Sequence, residues 1–167
     1  MSMLEFQSLP DFVAEIQELK QMIVELDSDP DQNIGNLNAL YAKVQGYLSR
    51  VAEILIEMHE ALREARKAAS GYKTAYALER AKLLSTSIEI QQLKNQSLQE
   101  AAVMTQLRSL FEQKEQAERD VDDLELLIKI TQQKMDDLDK LNTNLSRQQK
   151  VVETLIGIGH QVKANRG

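Results

Sequence analysis

Residues 37–65 read LNALYAKVQGYLSRVAEILIEMHEALREA, with Leu37, Tyr41, Val44, Leu48, Val51, Leu55, Met58, Leu62 and Ala65 recurring at steps of 4 and 3, eight steps without a miss. On a helix of 3.6 residues per turn those steps keep returning to one face, so the segment predicts a coiled-coil-like rod. At about 1.5 Å per residue, residues 36–70 would reach roughly 52 Å. Ser70-Gly71 either interrupts the rod or lies inside it, since YKTAYALERAK, residues 72–82, is still helix-permissive.

Upstream of the rod a first helix is expected from about Ser8 or Leu9, with Pro10 in the first turn, where its missing N–H costs nothing. Phe12, Ile16, Leu19, Ile23 and Leu26 give it one narrow apolar seam, and DSDPDQN, residues 27–33, is expected to close it as a loop. Downstream, Leu84-Ser85-Thr86-Ser87 marks a boundary, because Thr86 with Glu89 has the spacing of a capping box. Ser97 with Glu100 is a second such pair, which leaves residues 86–97 as a short helix and starts the last one near residue 98.

The last helix carries its own seam: Ala117, Val121, Leu124, Ile128, Thr131, Met135, Leu138, Asn142, Leu145, Gln149, Val152 and Ile156. Leu127, Leu141 and Leu155 lie beside it, and a stripe widened in this way fits contact with more than one neighbouring helix. Asn142 and Gln149 are either register-setting polar residues or the result of the seam drifting toward Leu141 and Leu155. Gly157 and Gly159 are expected to end the helix and leave HQVKANRG as a frayed tail. The expected plan is an acidic helix and loop over residues 1–33, a long-helix domain over 34–157 and a flexible tail over 158–167.

Composition agrees with the periodicity. The 167 residues contain no Cys and no Trp, only seven aromatics (four Tyr and three Phe), and prolines only at Pro10 and Pro30. Between Gly46 and Gly157 the single glycine is Gly71. A stretch so poor in turn formers does not build sheets or barrels, and the fold class is all-α, few long helices forming a helical hairpin or coiled-coil bundle. Apolar residues left over from two paired rods, among them Ile90, Leu93, Val103, Leu107 and Phe111, need cover that self-association would supply, so a homo-oligomer is expected. No apolar run reaches the roughly 18 residues of a membrane span, and MSMLEFQSLPDF lacks the blocks of a secretory signal. A soluble, cytoplasmic protein with no membrane partner is the expectation.

The residue inventory offers little to an enzyme. There is no phosphate-binding glycine loop, no nucleophile elbow and no His/Asp/Glu set at ligand spacing. His59 and His160 have no third partner, and the adjacent pairs Asp122/Asp123 and Asp136/Asp137 diverge by about 100° on a helix. No catalytic residue, metal or cofactor is expected, and the protein is read as a non-enzyme.

Charge is where the chain is unusual. The net charge of −6 is concentrated in residues 1–33, which hold eight acidic residues against Lys20 alone. By contrast Arg63, Arg66, Lys67, Lys73, Arg80 and Lys82 face only Glu64 and Glu79 across twenty residues, with Tyr72 and Tyr76 interleaved. Cations neutralise phosphates and aromatic faces stack bases, so these eight basic and aromatic residues form a candidate site for single-stranded DNA. The plainer alternative is that the cations complement a helix C-terminus before Gly71 while the tyrosines pack in a bundle.

The layout resembles the UvsY-like recombination mediators of bacteriophages. The residues that carry the resemblance are Ala61-Leu62-Arg63 with Ser70-Gly71, then Thr86-Ser87-Ile88-Glu89 with Leu93-Lys94, then Ala117-Glu118 and the heptads to Leu155. It covers roughly residues 37–157. The resemblance implies a ring-forming accessory factor in a bacterial host cell that binds single-stranded DNA and helps load a recombinase onto strands coated by single-strand-binding protein. Arg63 would carry the family's basic position, whereas the second basic residue falls at Arg66, with Ala65 in the expected place. The leading expectation is therefore an oligomeric recombination accessory protein. The alternative is a phage helical adaptor or inhibitor that binds a host protein through its acidic N-terminal helix.

Overall fold

The computed structural model describes residues 30–164, together with Ala14, Gln17 and Glu18, which are helical. The seam expected over Phe12 to Leu26 lies outside the described residues. Among those described there is no strand: the chain forms α1 (Pro30–Thr86), α2 (Ile88–Gln91), α3 (Gln96–Gln106) and α4 (Arg108–Ala164), with the two long helices α1 and α4 packed as a hairpin.

Helix α1 corrects the expected loop, since Pro30 to Asn33 already belong to its first turn. Proline is suited to that place because the first N–H groups of a helix have no internal acceptor. The helix then runs through Ser70-Gly71 without interruption for 57 residues. Gly71 does not take a positive φ, and a Cβ there would meet nothing within 4 Å, so the glycine neither turns the chain nor admits a close neighbour.

Contacts divide the chain into two units, one comprising the residues up to Leu55 with those from Ile130 onward, the other Ile56–Lys129. In the first unit Leu37, Val44, Val51 and Leu55 of α1 and Thr131, Leu138, Leu141 and Leu145 of α4 are buried. Gln45 Nε2 donates to Asn142 Oδ1 at 2.9 Å, and Gln149 Nε2 donates to Asn38 Oδ1 at 3.1 Å. Both pairs share one antiparallel register, so Asn142 and Gln149 bond to the neighbouring rod of their own chain.

In the second unit the core consists of Met58, Leu62, Ile90, Val103, Ala117 and Ile128. The chain leaves α1 one residue later than the capping-box spacing predicts. Thr86 Oγ1 donates to Lys82 O at 2.8 Å, while Ser87, extended at φ −83° and ψ 107°, caps α2 by accepting from Ile90 N. Gln91 Nε2 folds back onto the α1 carbonyls of Leu84 and Ser85, at 3.1 and 2.8 Å, and satisfies acceptors that the helix end leaves open. The second cap is likewise not Ser97 but Asn95, whose side chain accepts from Leu98 N at 2.8 Å.

The last helix is interrupted at Leu107, which separates α3 from α4 at φ −99° and ψ 17°. The disturbance is local, because Leu107 N still bonds Val103 O and Phe111 N bonds Leu107 O, both at 2.9 Å. At its far end α4 continues through Gly157 and Gly159 to Ala164, so the expected tail from residue 158 is helical up to that point. Glycine costs a helix interior about 1 kcal/mol relative to alanine and does not forbid it. The left-handed conformation that makes glycine a terminator is absent at the described glycines.

Candidate nucleic-acid interface

The basic segment lies wholly in the second unit, over about the last seven turns of α1. Continuity through Gly71 keeps its side chains in one helical phase. Arg66, Lys73 and Arg80, seven apart, occupy one edge of the helix at intervals of about 10 Å. Arg63 and Lys67, four apart, stand on the outward face, each with its side chain 80% exposed.

The two groups differ in how firmly their charge is held. On the outward face a single carboxylate serves two cations at long range, Arg63 Nε lying 3.8 Å and Lys67 Nζ 3.9 Å from Glu64. Lys82 Nζ approaches Glu79 at 3.5 Å. Exposed pairs of this type contribute about 0–1 kcal/mol, so these cations exchange partners readily. Lys73 is exposed, and no ion pair holds it among the described residues. Arg66 is tied more closely, with Nη2 2.7 Å from Glu125 Oε1 of α4.

Arg80 is committed to the fold. Its Nη2 and Nε both donate to the Glu100 carboxylate of α3, the second at 3.0 Å. Hydrogen bonding to Glu100 and then its negative charge push the Arg80 guanidinium above its already high ordinary pKa. A fork of two parallel bonds between planar groups fixes geometry as well as charge. This pair ties the end of α1 to the returning chain.

The tyrosines part company too. Tyr72 is exposed, whereas Tyr76 is half-buried with its ring centroid 5.7 Å from that of Phe111 and the planes tilted by 57°. An edge-tilted pair at this separation is an ordinary packing contact between aromatics. Of the eight sequence-predicted residues, Arg63, Lys67, Tyr72, Lys73 and Lys82 are therefore open to solvent, Arg66 is exposed but paired, and Tyr76 and Arg80 hold elements together.

Against the Phe111 ring lies a group that the sequence reading missed. Lys114 is only 18% exposed and donates to Glu115 and Glu118, each at 2.9 Å. Its ammonium also sits 5.7 Å from the Phe111 ring centroid. The hydrogen bonds to Glu118 first and Glu115 second raise the Lys114 pKa above its ordinary value. Lys114 and Glu118 stand four apart on a helix, a spacing that announces such a pair, although nothing local announces the ring.

Among the described residues no three His, Cys, Asp or Glu side chains gather as a metal site. His59 and His160 are both exposed. The arrangement is suited to neutralising and stacking on an anionic chain, with the exposed cations and Tyr72 as its means. No protein-family model, no curated protein and no solved structure matches the chain.

Proposed function

We propose that the protein is a non-enzymatic, self-associating accessory factor that holds single-stranded DNA along the end of α1 and assists recombinase loading. The observation that carries the reading is the exposure of Arg63, Lys67, Tyr72 and Lys73 along one unbroken helix. Each cation replaces a condensed counterion at a phosphate, and the phenol ring supplies a face for a base. Arg66 joins them by exchanging Glu125 for a phosphate, while Tyr76 and Arg80 act as struts beneath the site.

One hairpin offers few cations for a polymer that carries a charge at every nucleotide. Repetition of the patch around an oligomer answers this, because tethered sites act at high effective concentration. Ile56, Leu78, Ile88, Leu98, Met104 and Leu126 of the second unit are large apolar side chains between 45% and 69% exposed, which supports self-association of that region. The recombinase and the single-strand-binding protein enter as partners through the mediator-like layout of helices and caps.

The test is the double variant Lys67→Glu with Lys73→Glu, compared with the parent chain for binding to a labelled single-stranded oligonucleotide. Binding is expected to be lost at physiological salt while the helical spectrum and the oligomer size stay unchanged. Undiminished affinity would remove the site from α1.

A further inference from the structure

Within the second unit the basic end of α1 runs beside the most acidic part of α4. Residues 63–82 hold six cations against two carboxylates, and residues 112–125 hold seven carboxylates against Lys114 and Arg119. Counted in antiparallel order from the contact between Arg66 and Glu125, Lys73 stands level with Glu118. A strand laid along the cations of α1 therefore approaches a row of like charge on the neighbouring rod.

Most of that row is occupied along its own helix. Glu112 pairs with Arg108, Glu115 and Glu118 share Lys114, and Asp120 accepts from Gln116. Glu125 is the carboxylate of this stretch that crosses to α1, where its Oε1 lies 2.7 Å from Arg66 Nη2. The contact is much shorter than the 3.5–3.9 Å at which Arg63, Lys67 and Lys82 meet Glu64 and Glu79. It is also open to solvent, with the two side chains 61% and 48% exposed, so an incoming anion can reach the guanidinium and the arginine can turn away. A carboxylate oxygen at this distance makes the charge-assisted hydrogen bond that a phosphate oxygen would make in its place.

We propose that Glu125 is a built-in competitor for the DNA phosphate at Arg66, and that it sets how readily the strand is released. This rests on the nucleic-acid reading of the α1 segment and adds the residue that regulates that site. In the empty protein Glu125 holds Arg66. A phosphate that takes Arg66 must break this pair and then lie close to the displaced carboxylate, whereas Lys73 carries no such debt. Arg66 is thus a contact made late and given up early, which suits a protein that hands its strand on.

The test is Glu125→Gln, which keeps the shape of the side chain and removes its charge. Both partners are exposed, so the substitution leaves the fold intact. Binding to a labelled oligothymidine strand should tighten about threefold, the scale of an exposed ion pair. The salt slope should steepen by about one, because Arg66 then holds a counterion that the phosphate releases. Asp123→Asn removes the same charge two residues away, about 200° round the helix, and should leave the slope unchanged. In an Arg66→Gln background Glu125→Gln should bring no further gain. Equal effects of Glu125→Gln and Asp123→Asn, or a gain that persists without Arg66, would reduce the effect to net charge and overturn the proposal. Unchanged affinity of Glu125→Gln beside a parent chain that binds would overturn it alone and leave the site standing. A parent chain that binds no strand at low salt would remove the site and the competitor together.

Discussion

Gln45 Nε2 and Asn142 Oδ1 are 2.9 Å apart, and the hydrogen bond between them joins α1 to α4 across 97 positions of sequence. Asn38 and Gln149 repeat the relationship one heptad further along. A polar pair at the margin of an apolar seam is satisfied only when the rods stand in one register, whereas leucines tolerate several. Asn142→Ala leaves the half-buried Gln45 amide without this partner and should cost about 1 kcal/mol in urea unfolding. An unchanged midpoint would show that the apolar residues alone set the register.

Gly71 sits inside α1 with open space around the place a Cβ would take. Gly71→Ala should therefore stabilise the protein by about 0.5–1 kcal/mol, seen as a rise in Tm, because the alanine loses less backbone freedom on folding. A fall in Tm would mean that the helix is broken at Ser70-Gly71.

Leu138 is fully buried in the first unit. Leu138→Ala removes its contacts and leaves a cavity, with an expected loss of roughly 2–5 kcal/mol in chemical denaturation. The exposed Leu126, 58% open, is the internal comparison, since Leu126→Ala should change stability little. Equal losses at both positions would contradict the burial of the seam.

Lys114 is held charged by Glu118 and Glu115, so its pKa in the folded chain lies above the ordinary 10.5 of the unfolded chain. Its contribution to stability is fully present below 10.5 and is lost as pH rises through the elevated folded value. Lys114→Met should accordingly lower stability at neutral pH and flatten its decline in strong alkali. Identical alkaline declines in the two proteins would show that the Lys114–Glu118 contact makes no contribution.

The two rods were legible because the signal is local. Each of Val44, Val51, Leu138 and Leu145 is placed on its face by spacing alone, and each is buried. The caps were legible to within two residues, since neighbouring Ser, Thr and Asn side chains compete for one role. Thr86 spends its hydroxyl on Lys82 O, which leaves the cap to Ser87. The terminating glycines misled because glycine ends a helix through a left-handed turn, and Gly157 and Gly159 remain helical. In the candidate site, exposure of Arg63 and Lys67 followed from the helix, but the commitments of Tyr76 and Arg80 did not. Their partners, Phe111 and Glu100, come from beyond the chain reversal, where no periodicity links them to α1.

The most direct measurement is fluorescence anisotropy of a labelled single-stranded oligonucleotide titrated with the intact protein at low and at physiological salt. Saturable binding is expected, with an affinity that falls linearly with salt on logarithmic axes and a slope of several phosphates neutralised together. A slope that shrinks by about two for Lys67→Glu with Lys73→Glu would place those phosphates on α1. Absence of binding at low salt would contradict the account, and would leave the basic stretch as a purely structural part of the helical hairpin.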